Sequence, residues 1–195
     1  YVNSPQSIVY DKSSVVYGLF QAKNVIRQQN LCLLTEGYAD TMSLHQFGFK
    51  NAVASSGTAL TSEQLRLIAR YSKNICIVYD GDTAGISAAM KAVELCLDQG
   101  FEVSVIVLPD NDDPDSYLRK HGADSFAKQL RQSKSFIEFF HAQYSTRGML
   151  DTPKGRADTL RILVRLVARV EDTLHREFLL RSLSALFSMR EELLY

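Results

Sequence analysis

The stretch NICIVYDGDTAG (residues 74–85) joins a short apolar run to two aspartates and two glycines. Residues Ile75 to Tyr79 are apolar without interruption, which is typical of a strand covered on both faces. Three further runs share this pattern: LCLLT (31–35), NAVAS (51–55) and VSVIVL (103–108). Because helical patterns separate the four runs, the sequence predicts a parallel sheet built from right-handed βαβ units.

The helical patterns outside these strands divide the chain into an α/β part and an all-α part. Apolar spacing predicts helices over 13–29, 38–47 and 82–97. Thr61 and Gln64 resemble a capping box, which predicts a further helix that begins there and runs through Ala69. Beyond Pro109 every pattern is helical, over residues 116–121, 123–132, 135–147, 153–170 and 173–194. The segment STRGMLDTPKG (145–155), with two glycines and a proline, is the best candidate for a boundary.

The charge of the chain is balanced in total but segregated along the sequence. Of the 195 residues, 46% are apolar and 23% charged, which predicts a globular chain with a real core. A net charge of zero alone would argue against a nucleic-acid-binding protein. It arises by cancellation, however, because residues 1–35 carry +2, residues 36–115 carry −7 and residues 116–195 carry +5.

The remaining composition excludes several classes of site. Three cysteines without a C-x-x-C pair predict reduced core thiols in a cytoplasmic protein, and four scattered histidines argue against zinc in this chain. No apolar run is long enough to span a membrane, and the first residues do not form a signal peptide. The N-terminus YVNSPQS is interpreted as a cut inside a longer protein.

Acidic residues follow three of the four predicted strands. Glu36 follows the first strand, Asp80 and Asp82 the third, and a group of four aspartates follows the last: Asp110, Asp112, Asp113 and Asp115. Ligands of open parallel sheets bind beyond the carboxyl ends of the strands, so these groups are expected to converge. Carboxylates without histidine or cysteine favour Mg²⁺ or Mn²⁺ and hence phosphoryl or nucleotidyl transfer. The alternative for 110–115 alone is a solvated turn that caps the next helix.

The order of these acidic groups resembles the Toprim fold of primases, topoisomerases and some nucleases. Three segments are similar in sequence to the catalytic core of the bacterial-type, DnaG-like DNA primase: EGYADTMSLHQFGFKNAVASSGTALTSEQ, YDGDTAGISAA and LPDNDDPDSYLRKHG. This resemblance implies a Toprim-like parallel sheet with flanking helices, followed by an all-α helical subdomain. It places the end of a basic nucleotide-handling subdomain and a linking helix at 1–30, the Toprim domain at 31–130 and the helical subdomain at 131–195.

The resemblance also implies roles for individual residues. The catalytic residues would be Glu36, Asp80 and Asp82, and the metal ligands would be Glu36, Asp80, Asp82, Asp113 and Asp115. Nucleotide-binding residues would be Asn3, Ser4 and Lys12, although Gln6 stands where the family usually has Glu. The loop Ser55–Ala59 resembles the family's S-x-G-T stretch, and a tight strand-to-helix connection explains it equally well.

The function implied by this resemblance is metal-dependent, template-directed synthesis of short RNA primers on single-stranded DNA. The expected substrates are ribonucleoside triphosphates, and the expected cofactor is Mg²⁺ or Mn²⁺. Zinc is expected only in a module that this chain lacks. Replicative helicase and single-strand-binding protein are expected partners, mainly through absent domains. The protein is expected to be a cytoplasmic monomer without membrane contact, and the isolated chain to be weakly active or inactive.

Other functions compatible with the residues are kept open. The first is another Toprim enzyme that cleaves DNA, either a nuclease or a topoisomerase. The second is an aspartyl-phosphate phosphatase, and the third is a binding module that uses the helical part of the chain. Arg161, Arg165 and Arg169 share a helix face, which is either a phosphate-tracking stripe or an ordinary solvated surface.

Overall fold

The chain forms two compact units, residues 1–133 and 134–195. The computed structural model describes residues 11–55 and 59–193. The first unit alternates strands and helices: α1 Leu19–Gln29, β1 Cys32–Thr35, α2 Tyr38–Gln46, β2 Ala52–Ala54, α3 Ser62–Ala69, β3 Asn74–Tyr79, α4 Thr83–Asp98, β4 Glu102–Val107 and α5 Pro114–Arg131. The second unit starts at β5 Lys134–Ser135 and contains α6 Phe136–Thr146, α7 Pro153–Val167 and α8 Thr173–Phe187.

The strands of the first unit form a parallel sheet in the order β2-β1-β3-β4. Strand β1 lies between β2 and β3, with Leu33 opposite Ala52 on one side and Cys76 on the other. All four residues of β1 and the last five of β3 are buried. The apolar runs therefore became strands because helices cover both faces of the sheet, which confirms the predicted fold class.

The second unit is helical throughout its regular structure, apart from the two-residue β5. Ser135 and Glu138 form a capping box at the start of α6, and Thr152 and Asp172 accept backbone N–H bonds at the starts of α7 and α8. Such caps satisfy amide groups that a helix start would otherwise leave without partners. Its buried core is formed by aromatic and aliphatic side chains that include Phe139, Phe140, Leu163, Val167 and Leu183.

Helix α1 begins six residues later than its apolar spacing predicts. Gly18 has a φ of +78°, a left-handed conformation, so the residues before it do not continue the helix. Tyr17 pairs instead with Ala54 through two backbone hydrogen bonds of 2.9 and 3.1 Å. The predicted start at Ser13 is therefore wrong, because pairing with β2 takes the place of a first helical turn.

The ends of the later helices also differ from prediction. Helix α8 stops at Phe187, since Ser188 adopts a left-handed conformation, and a one-turn 3-10 helix follows at Glu191–Leu193. Segment 145–155 connects α6 to α7 inside the second unit, so it is not the division between the compact units. Gly122, with φ +77°, interrupts α5 between the two predicted pieces.

Two expectations about composition can be compared directly with the structure. All three cysteines are free and buried, and burial raises the pKa of the Cys76 thiol to about 12. Across the part of the chain that is described, no helix has the length and apolar character needed to cross a bilayer.

Candidate metal-binding and catalytic site

Carboxylates from three neighbouring strands lie at one edge of the sheet. Glu36 follows β1, Asp80 and Asp82 follow β3, and Asp113 follows the loop after β4. Since these strands are parallel and adjacent, their carboxyl ends face the same side. The predicted convergence is reflected in the electrostatics, because these carboxylates act on one another's ionisation.

Five carboxylates form an acidic cluster, defined here as Glu36, Asp40, Asp80, Asp82 and Asp113. Burial and mutual repulsion favour the protonated forms of Glu36, Asp40 and Asp80. Burial, with repulsion from Asp80, Asp82 and Asp40, raises the pKa of Glu36 to about 7. Burial also raises the pKa of Asp40 to about 6, and repulsion from Asp80 and Asp113 adds to it. The pKa of Asp80 is raised by the same two causes. A bound cation would remove much of this penalty.

Glu36 also leaves a buried oxygen without a protein partner. Its Oε1 atom is inaccessible to solvent and makes no hydrogen bond within the described residues. A buried carboxylate oxygen in this state costs free energy unless a cation or donor satisfies it. Together with the all-carboxylate composition of the cluster, this orphaned oxygen fits a hard divalent cation such as Mg²⁺ or Mn²⁺.

The other acidic side chains make local contacts with protein groups. Asp82 Oδ1 accepts the Gly85 N–H at 2.7 Å and caps α4, whereas Asp113 Oδ1 caps α5. Asp115 accepts two bonds of 2.9 Å from Arg119 Nε. In the described ranges, no three carboxylate, histidine or cysteine side chains lie close enough together to hold one ion. The metal roles of these residues therefore stay predictions.

Two glycines bring the acidic loops close to their neighbours. A Cβ atom on Gly85 would lie 2.4 Å from the Asp80 carbonyl oxygen, so α4 packs directly on the backbone of that aspartate. A Cβ on Gly81 would lie 2.7 Å from the Leu108 carbonyl oxygen. The Gly81 N–H also donates to the Asp112 carbonyl at 3.3 Å. The missing side chains thus allow the loops after β3 and β4 to touch.

Asp112 has a structural role at this edge. Its Oδ1 atom accepts bonds from Lys120 and from the Ser116 hydroxyl, and these contacts lower its pKa. Both partners lie on α5, so the buried Asp112 holds the loop against the helix that follows it.

The sequence reasoning missed Asp40. This residue lies in the first turn of α2, four residues after Glu36, and joins the cluster from a helix. Glu36 precedes α2, so helical spacing does not relate the two residues, and no specific signal in the sequence pointed to Asp40.

Of the predicted nucleotide-binding residues, Asn3 and Ser4 lie outside the described residues, as do Ser56, Gly57 and Thr58 of the predicted loop. The Lys12 carbonyl accepts a 3.0 Å bond from Gln64 Nε2. Its predicted contact with a nucleotide stays a prediction.

Comparisons with known proteins match both units. Residues 33–118 match a Toprim-like family model, and residues 137–192 match the DnaB-helicase binding domain of primase. DNA primase of Haemophilus influenzae is 37% identical over 173 residues, which cover 87% of this chain and 29% of that protein. The chain belongs to the DnaG-type DNA primase family.

Solved structures of this family have the same fold. A DnaG primase catalytic domain bound to single-stranded DNA superposes with a TM-score of 0.85 at 32% identity, over 98% of this chain and 62% of that one. The Aquifex aeolicus primase, with zinc-binding and RNA polymerase domains, gives 0.82 at 30% identity over 100% of this chain and 46% of that one. The chain thus has the Toprim fold of a DnaG-type core and spans under a third of the H. influenzae relative. A nuclease or topoisomerase is the less supported alternative.

Proposed function

We propose that this chain is the part of a primase catalytic core that binds divalent metal and joins ribonucleotides on a single-stranded DNA template. The observation that carries the proposal is the acidic cluster at the carboxyl edge of a Toprim sheet, with the raised pKa values of Glu36, Asp40 and Asp80 and the buried, unpartnered Glu36 Oε1. Mg²⁺ or Mn²⁺, when bound, would neutralise charge on the triphosphate and the attacking hydroxyl.

Within this proposal the protein groups have separate tasks. Glu36, with its buried and unpartnered Oε1, binds the metal or accepts the proton of the attacking 3′-hydroxyl. Asp80, Asp82 and Asp113 supply oxygen ligands, and Asp115 and Asp40 complete the acidic surroundings. The contacts of Gly85 and Gly81 fix the backbone that carries Asp80, so the reacting groups keep one geometry.

The second unit is proposed to bind the replicative helicase. Its match to the helicase-binding domain of primase suggests this partner. The outer face of α8 supplies a suitable surface, because Leu174 is 74% exposed and Phe178 is 64% exposed. Arg181 lies over the Phe178 ring, at 5.9 Å from its centroid. Aromatic and arginine side chains of this kind are frequent in the energetically dominant parts of interfaces.

The single-stranded template and the ribonucleoside triphosphates follow from the primase assignment. Lys12, Asn3 and Ser4 are proposed to contact the nucleotide, and basic regions beyond this chain to hold the template, since a polyanion needs cationic contacts. The place of action is the cytoplasm, where a replication enzyme meets chromosomal DNA. The chain is proposed to be a monomer, to meet single-strand-binding protein in the replication complex, and to have little activity in isolation.

The proposal is tested by primer synthesis in the full-length protein. On single-stranded DNA with Mg²⁺ and ribonucleoside triphosphates, Asp80→Asn is expected to reduce synthesis at least a hundredfold, since it removes a charge from the cluster. Asp124→Asn, at an exposed position of α5, is the matched control and should retain synthesis. Normal synthesis by a folded Asp80→Asn variant would refute the proposal.

A further inference from the structure

A cavity of about 530 Å³ adjoins the acidic cluster and extends along helix α4. Glu36, Ser55 and Tyr79 line it from the ends of three adjacent strands, and α4 lines it with Ala84, Ala88 and Lys91 among others. The buried Tyr79 hydroxyl is hydrogen-bonded to the Ser55 side chain. A volume of this size lies within the range of about 300 to 1,000 Å³ that small-molecule sites occupy.

The sequence of α4 explains why there is space at this position. Residues at i, i+3, i+4, i+7 and i+8 share one helix face, and on this face α4 has Ala84, Ser87, Ala88, Lys91 and Ala92. Four of these side chains are short, so the helix surface is recessed over two turns. Ala84 and Ser87 are exposed to solvent, so the recess is open.

The two ends of the cavity differ in charge. Glu36 belongs to the acidic cluster at one end, and Lys91 lies two helical turns beyond Ala84, about 10 Å along the axis. Among residues 11–55 and 59–193, the exposed Lys91 ammonium has no hydrogen-bonding or ion-pair partner. A cavity that runs from carboxylates to an unpaired ammonium suits a ligand with phosphates along its length.

We propose that Lys91 and the Ser87 hydroxyl form a subsite for the terminal phosphate of a nucleoside triphosphate whose inner phosphates lie at the acidic cluster. This inference rests on the proposed function, because it deepens the same site by naming the residues that receive the phosphates. The ammonium donates to phosphate oxygens, and the short side chains of α4 admit the ligand against the helix.

The test uses GTP as the probe and the alanine methyl groups as reporters. The NMR experiment uses the 195-residue chain with Mg²⁺ in place of the paramagnetic Mn²⁺. GTP is expected to shift the methyl resonances of Ala84, Ala88 and Ala92. Lys91→Met is expected to weaken GTP binding about tenfold, as loss of a charge-assisted bond does. Lys91→Arg should retain most of the affinity, and Lys128→Met on α5 is the matched control.

The possible outcomes separate this inference from the proposed function. If Mn²⁺ binds, as followed by electron paramagnetic resonance, and Lys91→Met leaves GTP affinity unchanged, the subsite is refuted and the metal site stands. If Mn²⁺ does not bind, the metal proposal fails, whereas Lys91-dependent binding of inorganic triphosphate would still support the subsite. If an oligothymidine without a terminal phosphate causes methyl shifts that depend on Lys91, and GTP does not, the assignment to a nucleoside triphosphate is overturned.

Discussion

Replacing Glu36 by Gln is expected to stabilise the metal-free chain at pH 8 while weakening its response to Mg²⁺. In the folded chain the pKa of Glu36 is about 7, against an ordinary value of 4.5. The carboxyl therefore binds its proton more tightly in the fold than in the unfolded chain. Its favourable contribution is complete below pH 4.5 and is lost as pH rises through 7.

The size of this effect follows from the pKa difference. A shift from 4.5 to about 7 corresponds to about 3.4 kcal/mol between the two protonation states. Because the Glu36 side chain is half-buried, solvent screening reduces this to about 1 to 2 kcal/mol. For a chain of this size that raises the Tm of the first unit by roughly 3 to 6 °C at pH 8.

Calorimetry at pH 5 and pH 8, with and without Mg²⁺, measures each part of the prediction. The stabilisation by Glu36→Gln should be largest at pH 8 without metal and small at pH 5, where the wild-type carboxyl is protonated. Mg²⁺ should raise the Tm of the wild type more than that of the variant. Glu63→Gln, at an exposed position of α3, serves as the control. An equal effect of Glu36→Gln at both pH values would refute the electrostatic reasoning.

Three further substitutions test other parts of the structure. Gly85→Ala places a methyl group 2.4 Å from the Asp80 carbonyl oxygen and should cost about 1 to 3 kcal/mol and weaken Mn²⁺ binding; unchanged melting would contradict the packing. Gln64→Met removes the two N–H donors of Nε2, which lies 2.9 to 3.2 Å from three backbone carbonyl oxygens, and should lower the free energy of unfolding by about 2 kcal/mol, measured with urea. Phe178→Ser should weaken helicase binding by the full-length protein at least tenfold in fluorescence anisotropy, whereas Phe20→Ser, 77% exposed on the first unit, should not; equal losses would exclude the α8 face.

The fold class could be predicted because β1, β2 and β3 are almost entirely apolar, and β4, which carries Glu102 and Ser104, is apolar over its last three residues. Strands of a parallel sheet that are covered on both faces are apolar without alternation. Because these strands all run in one direction, the residues that follow them lie at the same edge of the sheet. The capping box of Thr61 and Gln64 could also be predicted, because it depends on two residues three positions apart.

Features that depend on distant residues could not be predicted in this way. The start of α1 is set by pairing of Tyr17 with Ala54, which lies 37 residues away in the chain. The contribution of Asp40 depends on how α2 leaves the sheet edge, and an aspartate in a first helical turn has an ordinary explanation in the helix dipole. The pairing of Asp112 with Lys120 likewise depends on the path of the loop before α5.

The contact between Gly81 and the loop after β4 has a thermodynamic consequence. The Gly81 N–H bond to the Asp112 carbonyl links the backbone of one acidic loop to that of the next. A displacement of either loop must therefore strain the other, and substitutions in the two loops should not have additive effects on metal affinity. A double-mutant cycle between Asp80 and Asp113 would measure a coupling free energy, and its value would show how far the two loops bind a cation as one unit.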